Sequence, residues 1–544
     1  MKLINKTNSN YIFNLFLLFY LIFGLFLSVN TGITADEFIE QKNWIINLEV
    51  IKSFFDNDIN GYFNLLELEQ YLERGFTVID YESRFYGIGF HYLSQIYLLL
   101  AGVIVKLDQF SEETSKVLLN HSFIFFTYFL SGIFAKKILN LLIKDEFYSN
   151  IFLIFYLFYP YLLGHGFYNP KDIPFLFAWI ISTYISIRIF LQVHRKKNIT
   201  LLNIFLLSLS TSFLFSIRIA GILILLQYLI TLIITSGSLK ESFYTILKLY
   251  FYKIVLFFLT TFLLTILFYP IFWNNPLLIF DSINQMRNYP QGACTLTLGK
   301  CMEAMNLPSS YIFIWLFFKL PLLSFVGLML FPFIEKKIFS QPINQIILGS
   351  ILLTIISIIF LLIFLETNLY DELRQLLFLF PLIIIVSFST IYFFSKKLIL
   401  YITIISIFFF TIQNINMYPY QYTWFNLFGN FTNINNNFEL DYYGVSGRNI
   451  AKKINNNNQL LYYKDKCIYV APTHLIKPFI STEYRCIKHL TSIYPKSTEK
   501  YILIKYTREI RRENPSSCKL VFEETYNLNL FKNRLKMGEV FICN

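Results

Sequence analysis

Apolar runs close to 20 residues long recur along most of this chain, separated by short polar loops. They fall at about 11–29, 118–139, 149–165, 174–192, 199–216, 219–236, 252–272, 311–333, 343–365, 374–394 and 397–413. Crossing about 30 Å of hydrocarbon takes roughly 20 helical residues at 1.5 Å each. The pattern therefore predicts a polytopic α-helical membrane protein of about eleven spans. After residue 430 it changes. The tail is polar and Asn-rich, then strand-like in "KCIYVAP", "KYILIKY", "CKLVFEE" and "GEVFIC". Two domains are expected: a transmembrane body over 1–429, with an outer loop and juxtamembrane helices near 30–117, and a small α/β domain over 430–544.

One further apolar run, "FHYLSQIYLLLAGVIVKL" (90–107), is set aside by charge. With a cytoplasmic N-terminus, the basic loops "AKKILNLLIKD", "HRKKN", "SLKESFYTILKLYFYK", "EKK" and "SKK" all fall inside, as positive-inside orientation demands. Counting 90–107 as a span would put "HRKKN" and "EKK" outside, so it is read as a juxtamembrane or re-entrant helix. The first apolar run is not read as a cleaved signal peptide, because "VNTGITADEF" lacks a small-x-small site and more spans follow.

Composition agrees. The 544 residues are 55% hydrophobic and only 15% charged, against about 25% charged in a soluble chain. The net charge of +12 does not indicate nucleic acid, because Lys and Arg sit mostly in the short loops. No P-loop, GxGxxG or HExxH motif occurs, which leaves nucleotide hydrolysis and zinc proteolysis without support.

The six cysteines all fall on the predicted outer side: Cys294 and Cys301 in one loop, and Cys467, Cys486, Cys518 and Cys543 in the tail. An even count on one face points to disulfides in an oxidising compartment. Cys294–Cys301 is expected as a loop staple. In the tail, 467–486 with 518–543 is preferred among three pairings, and six unpaired thiols are the bland alternative.

The same topology gathers charge on the outer face. Asp36 and Glu37 open the loop after the first span, and "NPKDIPF" carries Lys171 and Asp172 between the third and fourth. Lys171, Arg84, Arg218 and Arg374 reach this face as well. A carboxylate near a low-dielectric boundary suits a general base, and arginine matches phosphate oxygens bidentately. Such a constellation fits a lipid-linked phosphate beside an acceptor hydroxyl. Taken singly, each charge has a plainer explanation. Asp36 and Glu37 suit a helix N-terminus, Lys171 and Asp172 an interfacial turn, and the arginines snorkelling span ends.

Further stretches complete a pattern: "RFYGIGFHYL" (84–93), "FYPIFWNNPL" (268–277), "YIFIWLFFKLPL" (311–322), "LYDELRQLLFLFPL" (369–382) and "YPYQYTWFN" (418–426). Together with Asp36-Glu37 and "NPKDIPF", and in this order over about 420 residues, the chain resembles the GT-C superfamily of polytopic glycosyltransferases. Within it the likeness is to family 39, near the protein mannosyltransferases and lipid A aminoarabinose transferases. The resemblance implies sugar transfer from a polyprenyl-phosphate carrier to a lipid, polysaccharide or protein acceptor, outside a bacterial plasma membrane. Asp36, Glu37 and Asp172 would be the catalytic acids, with Lys171, Arg84, Arg218 and Arg374 near the donor phosphate. The lysine before Asp172 departs from the pattern. The alternative is a transporter or flippase of a lipid-linked polar substrate, which would favour internal repeats and charges near the bilayer midplane.

"DNDINGYFNLLE" (56–67) has EF-hand spacing, with Asp56, Asp58, Asn60 and Glu67 as oxygen donors and Gly61 at the turn. Ile59 and Phe63 break the pattern, and no second hand follows. Calcium or another divalent cation is left open here, and no cofactor is assigned.

Overall fold

The computed structural model of the chain describes residues 6–56, 85–105, 107, 109–287, 294–484, 486–491, 494, 500–513, 515–528 and 534–543. Each of the eleven predicted apolar runs coincides with a helix or a bent helix pair. Seven of the described helices are long and apolar enough to cross a membrane, or up to nine if each bent pair counts as one span. The chain is a multi-pass membrane protein.

Two expected spans are short. Residues 199–216 form the helix Leu201–Ile217, and 374–394 the helix Leu379–Phe394, of 17 and 16 residues. The second loses its length at the end that carries Arg374, while the first begins two residues late and ends directly before Arg218. Leu201–Ile217 stops where Arg218 turns extended, with φ −146° and ψ 133°. Leu379–Phe394 follows a loop in which Asp371 and Glu372 take positive φ of 55° and 64°, a region non-glycine residues enter only when their surroundings hold them there.

Prolines explain the bends. The run 149–165 breaks before Pro160 into Glu146–Phe158 and Pro160–Tyr168, at 62°. The run 311–333 breaks at Leu320-Pro321 into Tyr311–Lys319 and Leu322–Phe339, at 113°. Proline lacks the donor a continuing helix needs and disfavours helical geometry in the residue before it. At the second elbow Lys319, fully buried, pairs with buried Glu372 at 3.0 Å. The run 90–107, expected as a juxtamembrane or re-entrant helix, forms the 16-residue helix Gly89–Ile104, with Leu99, Leu100 and Val103 exposed.

Helices Leu322–Phe339 and Leu379–Phe394 approach closely at Gly327. A Cβ there would lie 2.4 Å from the Ser387 Cα, so only glycine permits the contact.

Beyond the bundle lies a mixed sheet with disulfides. A hairpin, β1 (Cys294–Thr297) with β2 (Lys300–Glu303), is stapled by Cys294–Cys301. The tail holds five strands: β3 (Cys467–Val470), β4 (Cys486–His489), β5 (Tyr501–Tyr506), β6 (Cys518–Asn527) and β7 (Arg534–Cys543). Their order is β4-β3-β5-β7-β6, with β3 parallel to β4 and β5, and β7 antiparallel to both its neighbours. Buried throughout, β5 reads as the near-continuous apolar run of a central strand. Cys467–Cys486 links β3 to β4, Cys518–Cys543 links β6 to β7, and no described cysteine is free. Non-reducing peptide mapping should recover these three linked pairs. Breaking Cys518–Cys543, which spans 25 residues, should cost about 3 kcal/mol, the usual worth of closing a loop of that order. Paired Cys518→Ala and Cys543→Ala melting at the wild-type temperature would contradict this.

The sequence divides the chain near 430, whereas packing carries the body further. Ile434, Phe438, Leu440, Tyr443 and Val445 belong to the main core, and the tail's own core begins with Ile450. Segment 434–445 thereby lies against the end of the bundle where the charged residues meet.

Candidate functional site

Four segments far apart in sequence bring their polar ends together. Asp36 stands in the first turn of helix Ala35–Asp56, and Asp172 opens helix Asp172–His194. Arg218 ends helix Leu201–Ile217, and Arg374 begins the 3-10 turn Arg374–Leu376. Acids at helix N-termini and a cation at a C-terminus suit the helix dipoles. The plain helix-end reading and a site reading therefore hold together.

Arg374 is the hub. It pairs with Asp36, lies 3.2 Å from Asp371, and lies 3.9 Å from Asp172. Arg218 pairs with the other Asp172 oxygen at 2.7 Å. Asn169 positions Asp172 from both directions. Its Oδ1 accepts the Asp172 backbone N–H at 2.8 Å, while its Nδ2 donates to the carboxylate at 2.9 Å. "NPKD" thus forms a capping turn.

The two acids differ in access. The Asp172 side chain is 2% exposed and that of Asp36 22%. Only Asp36 can meet an incoming group without rearrangement. Both guanidinium Nε atoms, of Arg218 and Arg374, are buried donors with no acceptor among the described residues. Such a group costs about 1–3 kcal/mol, a cost that an anion oxygen would relieve.

Two predicted site residues face elsewhere. Glu37 takes the Thr34 backbone N–H and the His121 Nε2, both at 2.6 Å. It thereby ties the first turn of Ala35–Asp56 to helix Glu112–Ile143, away from the arginines. Lys171 pairs with Glu40 at 2.8 Å and lies over the Tyr86 ring at 3.9 Å. Arg84 lies outside the described residues. So does the EF-hand-like loop, apart from Asp56, whose backbone ends a helix. Among the described residues no group of three or more His, Cys, Asp or Glu side chains is placed to share a metal ion.

Glu40 and His91, absent from the sequence expectations, meet at 3.2 Å beside Lys171. Glu40 lies four residues after Asp36, a helical neighbour position that could have flagged it. Burial raises its carboxyl, but the Lys171 charge and the His91 hydrogen bond outweigh that and hold it at about 2, below 4.5. The folded chain thus keeps this charge to lower pH than the unfolded chain. The stability it confers is complete above about pH 4.5 and is lost as pH falls towards 2. Thermal midpoints of the purified protein should fall across that window, and Glu40→Gln should flatten the fall. An unchanged slope in Glu40→Gln would remove Glu40 as its cause. Glu40 and His91 also line an open cleft of about 570 Å³, with Trp44, Gln95 and Asn120 on its walls.

The tail supplies further contacts. Tyr443 places its hydroxyl 2.7 Å from Asn169 Nδ2 and 3.4 Å from Arg374 Nη1. Buried Asp441 holds this segment by accepting the Val445 and Ser446 backbone N–H groups and the Tyr422 hydroxyl. Asp371, shared with Arg374, also pairs with Arg508, whose Nε donates to the Cys294 carbonyl at 3.2 Å. Arg511 pairs with Glu439 at 2.7 Å. The loop carrying Arg374 is therefore braced by both the stapled hairpin and the tail sheet. Nothing local in the Asn-rich tail marks Tyr443, and Asp371 is visible in sequence only as an acid near Arg374.

No protein-family model matches the chain, and no curated protein matches it.

Proposed function

We propose that this protein is a membrane glycosyltransferase that moves a sugar from a polyprenyl-phosphate carrier to an acceptor at the outer face of the membrane. The observation that carries the reading is the convergence of Asp36, Asp172, Arg218 and Arg374 from four distant segments, with two arginine donors left without acceptors among the described residues. Donor phosphate oxygens would take those N–H groups, neutralising charge as the sugar–phosphate bond breaks. Asp36 would accept the proton of the acceptor hydroxyl as that oxygen attacks the sugar. Asp172 is then a positioning carboxylate that holds both arginines. Glu37 positions the helix that carries Asp36. Lys171 acts through Glu40 rather than on the phosphate. The cleft beside Glu40 offers room for the acceptor.

The test is a mass comparison of cell-envelope glycolipids, glycoproteins and polysaccharides, with the wild-type chain, with Asp36→Asn and without the protein. A sugar increment that appears only with the wild type supports the reading. Identical masses in all three would overturn it, and relocation of an intact lipid-linked sugar would favour a transporter.

A further inference from the structure

A second cavity lies at the opposite end of the helices that carry Asp172 and Arg218. Its volume is about 370 Å³, and its walls come from helices Asp172–His194, Leu201–Ile217, Ile224–Leu239 and Phe243–Phe268. Phe190, Leu207, Leu232 and Phe257 line it, and Lys253 is its only charged lining residue among the described residues. Val193 stands 21 residues after Asp172, which at 1.5 Å per residue puts the far end of the cavity about 30 Å from the charged cluster. It plays no part in the proposed transfer.

Its lining and its edge ask for different chemistry. Leu229 and Phe258 line the cavity and are exposed, so it opens outward, where acyl chains surround a membrane protein. Val193 and Ile199, on either side of the loop "HRKKN", line it as well. Lys253 donates to Asn198 of that loop at 2.8 Å, which draws the loop to the cavity edge. Lys196 there pairs with Glu241. Arg195 and Lys197 are exposed and have no ion pair among the described residues. An apolar slot beside free cations between membrane helices matches a lipid with an apolar tail and an anionic head. A zwitterionic head would bring its own cation against Arg195 and Lys197.

We infer that this cavity binds one anionic phospholipid, with an acyl chain between the four helices and the phosphate at Lys253, Arg195 and Lys197. The site is independent of the donor cluster and of the transfer reading.

Native mass spectrometry of the delipidated, purified full chain tests it, with equimolar phosphatidylglycerol and phosphatidylcholine added. Wild type should retain phosphatidylglycerol in preference. Arg195→Gln with Lys197→Gln, at exposed positions that leave folding intact, should lower that preference by about fivefold or more for each cation removed, the weight of one basic residue at an anionic lipid surface. Leu229→Trp, which fills the slot, should reduce bound lipid of either kind. Equal retention of both lipids by wild type, or undiminished phosphatidylglycerol binding in these variants, would overturn the inference.

Discussion

Asp36→Asn is expected to lower sugar transfer by at least a hundredfold, and by as much as ten-thousandfold, the range for removing a positioned general base. The asymmetry of exposure selects Asp36 over Asp172 for this role. A base must touch the proton it removes, and Asp172 is enclosed by Arg218, Arg374 and Asn169. Folding should survive the change. Arg374 keeps Asp371 at 3.2 Å, and Asp36 is partly exposed, so no buried cation is left unpaired. The melting temperature should move little while the rate collapses. Wild-type transfer by purified Asp36→Asn would end the general-base assignment.

Asp172→Asn has a different expected outcome, set by burial. Size is conserved, yet the change takes the carboxylate from Arg218 and leaves that guanidinium beside a neutral amide. Breaking a buried pair by removing one partner costs about 3–5 kcal/mol, because the remaining charge stays desolvated. Arg218 is 17% exposed and Asp172 2%, so the cost should fall towards the lower end. Activity loss in this variant therefore mixes unfolding with chemistry. The double variant Asp172→Asn with Arg218→Gln separates them. It removes both charges and should recover part of the thermal midpoint, giving a coupling energy of about 1–3 kcal/mol in a double-mutant cycle. Additive losses would show that the two side chains do not interact. Recovery of stability without recovery of transfer is the expected combination, since Arg218 also serves the proposed phosphate contact.

Much of this protein is legible in its sequence. Membrane insertion needs only local runs of apolar residues, so hydrophobic length marks the eleven runs that form helices or bent pairs, although charge was needed to set 90–107 apart. The prolines at 160 and 321 announce breaks, although only the fold sets the bends at 62° and 113°. The tail's central strand, "YILIKY", declares itself by a near-continuous apolar run interrupted only by Lys505. "NPKD" is readable as a turn before a helix, because Asn before a helix start satisfies nearby backbone donors.

Side-chain direction is not legible in the same way. Asp36 and Glu37 are adjacent, yet one faces Arg374 and the other His121, since neighbouring helical positions point about 100° apart and packing chooses which face turns inward. Lys171 has the chemistry of a phosphate ligand, but Glu40, a residue of another helix, takes its charge. The late start of the helix after Arg374 follows from the same cause: Arg218 and Arg374 reach the cluster only where their helices stop or have not yet begun. Arg374 and Asp36 are 338 residues apart, and no local rule connects them. Hydrophobic length along the chain determined that this is a membrane bundle followed by a polar tail. Which charges meet was decided by tertiary packing, because an ion pair depends on distance in space and burial, and neither is a property of neighbours in sequence.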